Sequence, residues 1–132
     1  LVFKWEDALN FEGNSAPFVQ YAHARACSIQ RKAGISEGAY DPATLTNEYE
    51  LRLVRVLARY PSVIREAGEK ARIQVLPAFG HELAAAFNQF YTYVPVLKGE
   101  ENREVRLALV DATRIVLANV LNTLGLSAPE EM

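Results

Sequence analysis

A single cysteine, Cys27, in 132 residues cannot close a disulfide within the chain, and such sparse cysteine usage fits a reducing cytosol. Only two histidines are present, His23 and His81, too few with one thiol to fill the four positions a zinc centre usually takes. His23 and Cys27 lie four apart and supply two ligands at most, so they read as core residues. No apolar run approaches the ~20 residues that cross a bilayer, and no signal-peptide pattern precedes the first motif. The seven glycines are scattered singly, without a phosphate-binding loop or a dinucleotide fingerprint. Neither Ser28 nor Cys27 has an evident base with a third orienting group, and the adjacent pairs Glu100-Glu101 and Glu130-Glu131 do not face a common site. The expectation is a chain with no catalytic residues, no metal and no cofactor of its own.

An excess of charge of one sign is also missing. The net charge is −2. Residues 1 to 34 carry Lys4, Arg25, Arg31 and Lys32 against Glu6, Asp7 and Glu12, a net +1, whereas residues 75 to 132 sum to −3. A broad cationic face that binds nucleic acid by counterion release is therefore excluded. Any RNA affinity has to come from a few placed arginines and from base stacking.

What is present is helix punctuation, and strand alternation never persists. Lys4 to Asn10 reads as a short helix, ended by a turn around Gly13. A longer helix is predicted from near Ala16, with Asn14 or Ser15 as cap and Pro17 in its first turn, to Ala33 before Gly34. Ile35 to Thr46 is a loop with room for one helical turn. Asn47 and Glu50 are spaced as a capping box for a third helix, which Tyr60-Pro61 interrupts. Ser62 then caps a short helix to about Lys70. Leu76, Phe79, Leu83, Phe87, Phe90 and Val94 recur at three and four residues, the spacing of one helical face. The last helix spans about Asn102 to Leu124, with Val105, Leu109, Ala112, Val116 and Val120 on one stripe and Leu107, Val110, Leu117, Leu121 and Leu124 on its neighbour. The fold expected is an all-α bundle of about five or six helices, one domain over 1–132. The lack of an initiating Met and the start within an amphipathic segment predict a fragment of a longer chain.

Phe18, Tyr21 and Arg25 are spaced three and four apart and share a helical stripe, an aromatic-aromatic-guanidinium order that can stack unpaired bases and hold a phosphate. The bland alternative makes Phe18 and Tyr21 core and Arg25 a surface charge. Phe87, Tyr91 and Tyr93 cluster near the end of the penultimate helix, where Phe87 belongs to the apolar stripe and Tyr91 lies beside it.

The run Phe11 to Arg25, FEGNSAPFVQYAHAR, resembles the signature that opens the C-terminal helical anticodon-binding (DALR) domain of arginyl-tRNA synthetases. Phe3-Lys4-Trp5 and Ala8-Leu9 resemble the segment leading into it, Leu107 to Ala112 the helix for which the domain is named, and Leu124 to Met132 the C-terminus of that family. The resemblance thus covers the chain from end to end. It implies the anticodon-binding bundle of a class I synthetase, with arginine-accepting tRNA and a separate catalytic domain as partners, and neither DNA nor membrane. The catalytic domain would bring ATP and Mg, and the parent enzyme would be a cytoplasmic arginine-tRNA ligase. By position in the motifs, the resemblance implies RNA contacts at Asn14, Phe18, Tyr21 and Arg25, and at Phe87, Tyr91 and the terminal Met132. In place of the arginine that usually precedes that Met stands Glu131. An alternative of a different kind is a helical protein-interaction module that uses Phe18, Tyr21 and Phe87 as apolar anchors.

Overall fold

A computed structural model describes residues 2, 5, 16–36, 38–99 and 101–132. The described residues contain five α-helices, one 3-10 turn at Pro42–Thr44 and no strand. The helices are α1 (Ala16–Ala33), α2 (Glu48–Ala58), α3 (Tyr60–Glu69), α4 (Val75–Tyr93) and α5 (Arg103–Thr123). This is the all-α bundle expected. Of the short helix predicted at Lys4 to Asn10 only Trp5 is described, in helical conformation, and the turn around Gly13 and the cap at Asn14 or Ser15 lie outside the described residues.

α1 begins at the alanine before Pro17, whose missing N–H costs nothing in a first turn. It stops at Gly34, where φ of +76° lets the amide reach the Gln30 carbonyl at 3.2 Å. Arg31 and Lys32 sit in its last turn, where cations complement the helix dipole.

Asn47 caps α2 by accepting the Tyr49 amide at 2.8 Å. Glu50 does not complete a capping box. It is 1 % exposed and takes the Arg106 Nε–H at 2.9 Å, because a guanidinium on α5 offers more than a single backbone amide. Arg106 also donates to the Pro95 carbonyl at 3.0 Å, so one side chain ties α2, α5 and the α4–α5 connection together.

The interruption between α2 and α3 is only the turn at Arg59. Helix α3 starts at Tyr60, with Pro61 inside its first turn, and Ser62 is not its cap. Proline is tolerated there for the same reason as at the start of α1.

α4 touches each of the other four helices. Its stripe of Leu76, Phe79, Leu83, Phe87, Phe90 and Val94 is wholly buried and forms the centre of the core. On the face toward α1 and α5 it carries Gly80, where an added Cβ would come within 3.1 Å of Val120 Cγ1, so the small residue sets how closely α5 approaches. Both stripes on α5 contribute to the core: Leu107, Val110, Leu117 and Leu121 of one are buried, as are Val105, Leu109 and Val120 of the other, whereas Ala112 is exposed and Thr113 beside it is buried. The Thr113 hydroxyl donates back to the Leu109 carbonyl at 2.8 Å, which makes its burial inexpensive.

The side-chain bridges give the helix directions. Phe18 faces His81 and Arg25 faces Asn88, so α1 and α4 run parallel. Gln30 donates to the Leu107 carbonyl and Arg103 to that of Ala33, so α1 and α5 run antiparallel. Arg59 to Glu82 and Arg52 to Gln89 set α2 antiparallel to α4. At the end of α5, Gly125 with φ of +75° turns the chain back. The Leu126 amide bonds the Leu121 carbonyl at 2.9 Å and the Gly125 amide that of Asn122 at 3.0 Å, the paired bonds of a Schellman stop.

Candidate nucleic-acid interface

After that turn, residues 126–132 run along α1 in the direction of the helix and are pinned at three points. Gln20 donates to the Ser127 carbonyl at 2.9 Å, His23 Nδ1 to that of Pro129 at 2.8 Å, and Arg31 to that of Glu130 at 3.2 Å. A carbonyl can only accept, so the His23 proton is on Nδ1 and Nε2 is left to face the Cys27 sulfur at 3.7 Å. His23 and Cys27 are both buried. Burial raises the Cys27 thiol above its ordinary value, with the Arg114 guanidinium opposing the shift. Among the described residues no group of three or more His, Cys, Asp or Glu side chains could hold a metal ion.

The pinned tail and α1 border an open groove of about 670 Å³, into which Tyr21, Arg25, Tyr91 and Met132 all project. Tyr21 is 51 % exposed and Met132 58 %. Arg25 is held rather than free: Nη1 donates to Asn88 Oδ1 at 2.8 Å, and the guanidinium carbon lies 5.5 Å from the centre of the Tyr91 ring. A guanidinium fixed against an aromatic face keeps donors for a phosphate and loses little side-chain entropy when it binds one. Arg31 and Lys32 add positive charge to the rim, and Glu130 and Glu131 add negative charge. Glu131 is 3.7 Å from Arg31, both exposed, an ion pair that contributes little to stability but keeps the carboxylate beside a cation.

Four of the seven residues singled out from the sequence thus meet in one place. Phe18 does not line this groove; it is half-buried against the core, its ring 4.9 Å from that of His81. Phe87 is corrected outright as a contact residue. Its exposure is 0 %, because it sits on the inward stripe of α4, which touches each of the other four described helices. Asn14 lies outside the described residues. The sequence reading missed Asn88, which aims Arg25, and the three tail contacts, since none has a local spacing signal.

Fold and groove together define a helical binding module: a buried apolar centre, an aromatic and guanidinium face, and a terminal strap that completes it. The sequence profile of the DALR anticodon binding domain matches residues 19–132, and the chain belongs to that family. It is 48 % identical to the arginine-tRNA ligase of Methanosarcina acetivorans over 139 aligned residues, covering 99 % of this chain and 24 % of that protein. Against the arginine-tRNA ligase of Thermococcus kodakarensis the identity is also 48 %, covering 100 % and 22 %. The arginyl-tRNA synthetase of Thermus thermophilus superposes with a TM-score of 0.90 at 41 % identity, over 98 % of this chain and 23 % of that one. That of Plasmodium falciparum gives 0.85 at 28 %, again over 98 % and 23 %. The chain therefore spans about a quarter of the length of these relatives.

Proposed function

We propose that residues 1–132 form the tRNA-binding unit of a cytoplasmic arginine-tRNA ligase and dock the anticodon stem and loop of arginine-accepting tRNA. A separate catalytic domain would use ATP and Mg to attach arginine at the distant acceptor end. The observation that carries this reading is the groove in which Arg25, fixed by Asn88 and Tyr91, lies beside the exposed ring of Tyr21 and the terminal Met132, in a chain of the DALR family. Loop bases splay onto the aromatic faces, and Arg25 contacts a backbone phosphate. Asn14 is proposed for a second phosphate contact on sequence grounds alone. The protein-interaction alternative loses support, because Phe87 is inside the core and Phe18 is half-buried, which leaves Tyr21 alone of its three anchors.

The test is fluorescence anisotropy of labelled arginine-accepting tRNA with this chain, with an anticodon-swapped tRNA of the same body as competitor. Native tRNA is expected to bind preferentially. Tyr21→Ala and Arg25→Ala should each weaken binding by about tenfold, the scale of one lost stacking or charge-assisted contact, with thermal midpoints close to that of the parent chain. Equal competition by the swapped tRNA would reject base reading, and unfolding of both variants would return the stripe to the core.

A further inference from the structure

The groove does not end at Tyr91. Arg25 and Tyr91 also line a second open recess of about 630 Å³ on the other side of their contact, and this recess includes Tyr93 and Lys98. Tyr93 is the last residue of α4 and is 61 % exposed, yet its ring is not free to swing. It stacks on Tyr49, the second residue of α2, with centroids 4.7 Å apart and planes 20° from parallel. Tyr49 in turn is half-buried against the core, so the pair is anchored from below.

Three features of the recess point to one class of ligand. A ring already ordered on one face by a neighbour costs less entropy to stack upon than a mobile one. The cations Arg25 and Lys98 belong to the lining and, among the described residues, no carboxylate does, in contrast to the first groove with its Glu130 and Glu131. Val94 and Val96, which also border the recess, are themselves buried and offer little apolar surface to a protein anchor. A flat ring beside separate cations is complementary to a base with its phosphate, and only an unpaired base has a face to offer.

We propose that Tyr93, braced by Tyr49, is a second stacking platform that takes one unpaired nucleotide of the RNA loop, with Lys98 meeting its phosphate. The proposal rests on the tRNA-binding reading above and extends the contact surface from the Tyr21–Arg25–Tyr91 groove around to the end of α4.

Anticodon stem-loop RNAs, each with 2-aminopurine at a different loop position, are titrated with this chain. At one position the fluorescence should be quenched on binding, and Tyr93→Ala should abolish that quench while weakening affinity by about tenfold. Tyr93→Phe should restore both. An abasic site at the same position should bind the parent chain and Tyr93→Ala equally. Lys98→Gln, on an exposed side chain, should lower the slope of log affinity against log salt by about 0.7, the value of one single-strand phosphate. If Tyr21→Ala and Arg25→Ala weaken binding but Tyr93→Ala and Lys98→Gln change neither affinity nor quench, the platform is rejected and the first groove stands. If the chain binds no stem-loop at all, both readings fall.

Discussion

Phe87 and Tyr91 are one helical turn apart on α4, and their fates differ because of what lies opposite them. Phe87 points into the bundle, where truncation would leave a cavity on every side. Phe87→Ala should therefore cost ~3–5 kcal/mol in urea unfolding, with any loss of RNA binding following the loss of fold. A variant that kept its unfolding midpoint and lost only binding would show that the ring can leave the core. Cys27 gives a second prediction at this scale. Burial raises its pKa in the folded chain above the ordinary value of 9.0, so the folded state holds the thiol proton more tightly than the unfolded state. That contribution is present in full below the unfolded pKa and is lost as pH rises through the folded one. The thermal midpoint of the chain should fall more between about pH 8 and about pH 10 than that of Cys27→Ala, since only the parent has a buried thiol to ionise. Parallel pH profiles would mean that the thiol titrates alike in both states.

The helices were legible in the sequence wherever the signal was local and periodic. α1 begins and ends where Pro17 and Gly34 place its boundaries, and the α4 stripe is buried from Leu76 to Val94. Glu50 was misread because a capping box is judged over four residues, whereas its partner Arg106 is 56 positions away. The start of α3 was misplaced because Tyr60-Pro61 was read as a break, when proline is also at home in a first turn. Of the candidate site, the stripe carrying Tyr21 and Arg25 was visible, but not the element that completes it. The strap at 126–132 depends on Gly125 for its reversal and on Gln20, His23 and Arg31 for its course. Met132 is the chain's one methionine, so methyl-labelled methionine gives a single NMR reporter of that strap. In the native chain its resonance should be displaced from that of free methionine by the Tyr21 and Tyr91 rings that share its groove. His23→Ala removes the central buried tether, and Gly125→Ala puts a side chain where φ is +75°, at a cost of ~1–2 kcal/mol. Both should move the methyl signal toward the free position and weaken tRNA binding, and an unmoved signal in His23→Ala would show that the outer tethers suffice.

At the scale of the whole molecule, a chain of net charge −2 is proposed to hold a polyanion, and the distribution of its cations sets how that can work. Much of the positive charge is committed within the fold. Arg106 is paired with Glu50, Arg59 with Glu82, Arg72 with Glu66 and Arg114 with Asp111. The two grooves are lined by Arg25, Arg31, Lys32 and Lys98, and Arg31 is partly engaged by Glu131. At ~0.7 of log-log slope per phosphate neutralised on a single strand, four cations set a ceiling of about 3 on the salt dependence of loop binding. Stacking carries no such dependence, so affinity should persist at salt levels that release a polybasic binder. The check is anisotropy of the stem-loop across a tenfold range of monovalent salt. A slope at or below the ceiling fits a few placed cations and aromatic platforms. A steeper slope would require phosphate contacts outside the two grooves. Glu131→Gln sharpens the test, because removing that carboxylate frees Arg31 and should raise both the affinity and the slope, whereas an unchanged slope would leave the Arg31 side chain out of the RNA interface.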